Sequence, residues 1–167
     1  MSAERVAQKR ARIFLVALMS ATLLFIFMQS CLPQSASAAE SEAVGGFIAS
    51  IFPEGSAIGA FLQDNVRKIA HFLEHGLFGA ELALYLFITG ATLKRLAVFG
   101  LTIPFAVGFI DETIQIFSGR GPAVTDVWID VAGAFTLGTL ALVAAHIVRR
   151  ATRKRCQENE TLTEDET

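Results

Sequence analysis

His71-Phe72-Leu73-Glu74-His75 sets two imidazoles four residues apart with a carboxylate between them, and Lys68 precedes the first by one helical turn. On a helix, positions 68, 71, 74 and 75 share a face. Asp111, Glu112 and Gln115 repeat that spacing further along, Arg120 stands in a turn between Gly119 and Gly121, and Asp126 and Asp130 are again four apart. Histidines and carboxylates are general acids and bases, with His71 and Glu74 the candidates here. An arginine holds phosphate or carboxylate in a rigid fork, and the carboxylates can hold amines or sugar hydroxyls. The acids in this set outnumber the bases. In a low dielectric that excess calls for a raised carboxylate pKa, a protonated histidine or a bound cation. Residues 71–75 also fit H-x-x-E-H, a zinc-protease pattern whose third ligand would come from Asp111 or Asp130. A five-residue pattern arises readily by chance, so no metal and no other cofactor is assigned from it.

The elements that carry these residues are too apolar for a soluble domain. Of 167 residues, 53% are hydrophobic and 18% charged, and the mean hydropathy is +0.51. The fold expected is an all-α integral membrane protein, a four-helix bundle with an amphipathic outer loop. A basic N-terminus (1–12) leads into a first span at about 13–32, long enough to cross a hydrocarbon core of roughly 30 Å. The same pattern describes a secretory signal peptide, with Ala36-Ser37-Ala38 as its cleavage site. A lipobox around Cys31 is a poorer fit because of Met28 and Gln29.

Residues 41–65 contain no span. Val44, Phe47, Ile48, Ile51 and Phe52 recur as one helical face that Pro53 and Gly55 interrupt, and Ile58, Phe61 and Leu62 form a second, so the segment reads as interfacial amphipathic helix or as an ordered loop on the bundle. A second span is expected at 69–93, with Gly76, Gly79, Ala80 and Ala83 as a small-residue contact face. The third, 96–117, is expected to kink at Pro104. Its apolar part, Leu96 to Ile110, reaches only about 22 Å at 1.5 Å per residue, so Asp111 and Glu112 must enter the membrane. The fourth, 127–148, repeats the small-residue face with Gly133, Ala134 and Gly138. Residues 149–167 form a charged cytoplasmic tail, of which the acidic part after Arg155 is expected to be disordered.

With both termini inside, all of the 14 Lys and Arg residues except Arg67, Lys68 and Arg120 fall on the cytoplasmic side, as the positive-inside rule requires. Cys31 and Cys156 then lie on opposite sides and cannot pair. The polar faces of the second, third and fourth spans meet at the outer end: Lys68, His71 and Glu74; Asp111, Glu112 and Gln115; Arg120, Asp126 and Asp130. An ionisable group at mid-membrane costs on the order of 2.5–3.5 kcal/mol, so such groups are normally buried against partners or a cavity. A purely structural account has Arg67 merely beside the membrane, Lys68 snorkelling at the boundary and Asp126 capping its helix. Glu81 lies deeper, and is expected to be protonated or bonded to another helix.

Arg67-Lys68-x-x-His71-Phe72-x-Glu74-His75, Asp111-Glu112-x-x-Gln115-x-Phe117 with Gly119-Arg120-Gly121, and Asp126-x-x-x-Asp130-x-x-Gly133-Ala134-x-x-Leu137-Gly138 together resemble the VanZ-like family of small bacterial membrane proteins, over residues of about 10 to 148. Residues 25–41 are similar to its first span and following outer loop, and the resemblance argues against cleavage after Ala38. The pattern differs at His75, where the family commonly has tyrosine, and at Asp130, where it commonly has asparagine. The resemblance implies a cell-envelope membrane location and an association with teicoplanin resistance, without a reaction.

Three functions follow as expectations. One is recognition of a lipid-linked cell-wall precursor or a glycopeptide in an outer pocket, with membrane lipid as the other partner and no nucleic acid. Another is a membrane enzyme acting on the same class of substrate. The third is a structural scaffold whose buried polar groups specify packing.

Overall fold

The computed structural model describes residues 3–121 and 123–165. Among these the chain is all helical, in six elements: α1 (Ala3–Ser30), α2 (Gln34–Ile51), α3 (Ala57–Asp64), α4 (Val66–Ile88), α5 (Leu93–Phe117) and α6 (Val124–Asp165). Pro122 lies outside the described residues, as do the side chains of Ala3, Glu4, Cys156 and residues 158–165.

Three helices are long and apolar enough to cross a membrane: α1 from Arg5 onward, α5, and α6 as far as Arg155. The expected second span, now α4, falls short of that mark because His71, Glu74, His75 and Glu81 dilute its apolar residues. It is nevertheless the central element, packed against α6 most extensively and also against α1 and α5. Phe78 and Leu82 of α4, Ile26 of α1 and Val107 of α5 form the buried core, with Met19, Leu23 and Phe27 beside it. The outward faces remain apolar: Phe14, Leu24 and Phe25 on α1, Phe109 on α5 and Phe135 and Leu140 on α6 are exposed.

The small-residue faces read from α4 and α6 meet each other. A Cβ on Gly133 would overlap the backbone of Phe72, and one on Gly79 the backbone of Ala134. These two helices therefore touch backbone to backbone, where dispersion between closely approaching chains replaces the hydrophobic effect that lipid removes. At the far end Phe87 of α4 meets the His146 ring edge to face at 4.9 Å, with Arg149 5.7 Å above it.

Two expectations need correction. The tail after Arg155 is not irregular: α6 continues without a break to Asp165, because Arg, Lys, Glu and Gln are good helix formers even where no core is available. The helices also start earlier or stop earlier than expected, α4 at Val66–Ile88 and α5 at Leu93–Phe117. The segment between α1 and α4 is helical in two pieces, as its apolar faces suggested, with Ser56 accepting from the Gly59 N–H to start α3.

Candidate functional site

The C-terminal ends of α1 and α5 and the N-terminal ends of α4 and α6 meet at one end of the bundle. Position 119 sets the turn between α5 and α6. Gly119 has φ of 75°, a left-handed conformation that glycine adopts without the cost of a Cβ. The Gly119 N–H donates to Ile116 O at 3.3 Å and the Arg120 N–H to Gln115 O at 3.0 Å, the paired reverse bonds of a Schellman ending. This ending turns Arg120 back over the bundle, where it is buried and its guanidinium donates to Gln29 O at 3.1 Å. Ser118 Oγ donates to Ser30 O at 2.8 Å and fastens the same turn to α1.

Beneath it lie His71 and His75 of α4, Asp111 of α5 and Asp130 of α6, all buried. His71 Nδ1 stands 3.0 Å from Asp130 Oδ1 and 3.7 Å from Asp111 Oδ2. His75 Nε2 stands 3.5 Å from Asp130 Oδ2 and 3.8 Å from Asp111 Oδ2. Gly108 leaves the space Asp130 occupies: a Cβ there would come within 3.0 Å of Asp130 Oδ2. Ser30 donates to Asp111 Oδ1, and Gln115 Nε2 donates to Asp111 Oδ2 at 2.9 Å. Gln115 Oε1 accepts from Arg67, which fixes the amide orientation and links an arginine to the histidine-carboxylate group through one residue.

Glu112 and Asp126 sit to one side, with an oxygen of each close to a ring nitrogen of His71. Glu112 Oε2 accepts from the Ala123 N–H at 2.9 Å, so it satisfies a donor at the start of α6. Deeper in the bundle, Thr22 of α1 donates to Glu81 Oε1 at 2.9 Å, which fulfils the expectation that Glu81 bonds to another helix.

A cavity of about 420 Å³ opens beside this cluster. His71, Glu74, Asp111 and Gln115 line it together with Arg67 and Arg120, and Ser37, Ser41 and Val44 of α2 complete the lining. Among the described residues neither arginine forms an ion pair with a carboxylate; the ion pairs there are all between histidine and aspartate. Burial, followed by the nearby Arg67 charge, lowers the Arg120 pKa from its usual value. A guanidinium remains protonated across the ordinary pH range all the same.

The sequence-derived set thus comes together except at Lys68, which is exposed and outside the cavity. Arg67 takes its place. The two neighbours are 100° apart around a helix, and the face that turns inward holds 67, 71, 74 and 75. Spacing alone does not separate the two, since 67 and 68 stand four and three residues before 71. Ser30 was also missed, although Thr22, Ile26 and Ser30 recur every fourth residue within the first apolar run. Gln29 contributes only a backbone carbonyl and leaves no trace in side-chain chemistry.

The VanZ/LLP1 family model matches residues 12–146, most of the chain and all of the cluster. The chain belongs to the VanZ/LLP1 family. No curated protein matches it, and no solved structure does. The VanZ/LLP1 match begins in α1 and ends in α6, so the family region takes in every helix that contributes a side chain to the cavity.

Proposed function

We propose that this VanZ/LLP1 protein resides in the cytoplasmic membrane with α1, α4, α5 and α6 as four spans and both termini in the cytoplasm. Its outward-facing cavity recognises the anionic head group of a lipid-linked cell-envelope component or a lipoglycopeptide. The observation that carries this reading is the pair of arginines that line the cavity, Arg67 and Arg120, neither of them ion-paired to a carboxylate among the described residues. Two cations held near each other and partly removed from water are best relieved by an anion, and arginine forks suit phosphate and carboxylate. The Ser37 and Ser41 hydroxyls offer further polar contacts to a head group, while the exposed Phe47 and Ile51 on the same helix suit acyl chains. The VanZ-like resemblance supports a link to teicoplanin-type glycopeptides.

Mass spectrometry of lipids co-purifying with the wild type should identify an anionic species that Arg120→Ala and Arg67→Ala each deplete by at least about tenfold, the range for a lost charge-assisted bond. Lys68→Ala should leave it unchanged. Equal lipid content in all four proteins would sink the reading. Orientation is read separately from Cys31, exposed and at the cavity end of α1. In a Cys156→Ala background, a membrane-impermeant maleimide should label it in intact cells; labelling only after permeabilisation would reverse the topology.

A further inference from the structure

We infer that His71, His75, Asp111 and Asp130 form a binding site for one divalent first-row transition metal ion. This goes beyond recognition of the cavity's ligand and stands without it.

The first argument is distance. The four histidine-to-aspartate contacts are 3.0, 3.5, 3.7 and 3.8 Å, and three of them are at or beyond the length at which a hydrogen bond is useful. Those separations suit atoms that share a metal. Bonds of about 2.0–2.2 Å to nitrogen and oxygen, at tetrahedral angles, put neighbouring ligand atoms about 3.3–3.5 Å apart. One donor atom from each of the four residues can be chosen so that all lie within 4.8 Å of one another.

The second argument is unmet bonding. Both ring nitrogens of His75 and Oδ2 of Asp130 are buried with no hydrogen-bond partner, and their side chains are 1% and 0% exposed. A buried polar atom without a partner costs about 1–3 kcal/mol, so natural proteins rarely leave three in one place. Asp130 turns one oxygen toward each histidine, so an ion among them occupies His75 Nε2 and Asp130 Oδ2 together.

Charge is the third. Two carboxylates with neutral imidazoles carry a double negative charge among buried side chains, and a divalent cation cancels it. Two nitrogen and two carboxylate donors select zinc, manganese or iron over calcium or magnesium, which prefer all-oxygen sites. The surrounding bonds have the form that steadies metal ligands: Ser30 and Gln115 hold Asp111, and Arg67 holds Gln115. His71 also neighbours Glu112 and Asp126, but Glu112 is engaged with the Ala123 N–H. His71 and Asp111 line the cavity as well, so the ion's accessible side would face it.

The test uses the full chain purified in detergent, stripped with chelator and reloaded with zinc or cobalt(II). Elemental analysis should find about one ion per chain after dialysis, and cobalt should give ligand-field bands of a nitrogen-oxygen site. Asp130→Asn and His75→Gln should each weaken zinc retention by at least about tenfold, since altering even an outer partner of a ligand costs that much. Folded wild type with no stoichiometric ion overturns the inference, and so does undiminished retention in both variants. Where the variants do not fold, X-ray absorption of the zinc-loaded wild type decides: imidazole scattering supports the site, and its absence refutes it.

Discussion

At the residue scale, two kinds of buried polar contact divide the labour. Thr22 and Glu81 bond deep in the bundle, away from the cavity, with Oε1 of Glu81 met by Thr22 and its Oε2 buried without a partner among the described residues. Removing one partner leaves the other buried and unmet, which costs about 1–3 kcal/mol, while removing both with apolar groups of similar shape is nearly neutral. Thr22→Val should therefore lower the thermal stability of the detergent-solubilised protein by that amount. Adding Glu81→Leu should restore most of it, and Thr22→Ser should behave as wild type. The cavity residues differ in being joined in sequence through Arg67, Gln115 and Asp111. Side-chain type and helical spacing were enough to nominate most of them. They were not enough to choose Arg67 over Lys68, because both lie within one turn of His71 and only the packing of α4 on α6 decides which turns inward.

At the element scale, the contact between α4 and α6 sets the depth at which the histidines meet Asp130. Gly133 faces the Phe72 backbone, directly after His71, so a side chain there would push apart the two helices that hold three of the four clustered groups. Gly133→Leu should destabilise the protein by about 3 kcal/mol or more, at or above the usual range for overpacking. Gly100→Leu, where an added Cβ meets nothing within 4 Å, should cost far less; thermal unfolding followed by size-exclusion chromatography separates the two. The small-residue faces on both helices were readable in advance, since Gly and Ala recur at helical spacing. Their mutual docking was a matter of topology. The continuation of α6 to Asp165 was hidden for a different reason: apolar periodicity marks helices that bury a face, and the residues beyond Arg155 have no apolar face to bury.

At the scale of the whole molecule, the polar groups are gathered at one end and the helix that carries most of them is the one wrapped by the others. The bundle was foreseeable from hydropathy and the clustering of Lys and Arg, whereas the inequality among its helices was not. α4 is synthesised before α5 and α6, yet its two histidines have their carboxylate partners on α5 and α6. In the four-span reading proposed above, the insertion machinery would meet a segment too hydrophilic to partition unaided, with its stabilising neighbours still on the ribosome. Chains truncated after Thr92 should accordingly show α4 entering microsomal or inverted vesicles poorly, by glycosylation mapping or protease protection, and full-length chains should show it well. Equal efficiency in both would mean that α4 enters on its own. On that reading biogenesis would depend on the hairpin made last, and a nascent chain stalled before residue 93 would be a substrate for quality-control proteolysis and not merely an incomplete product.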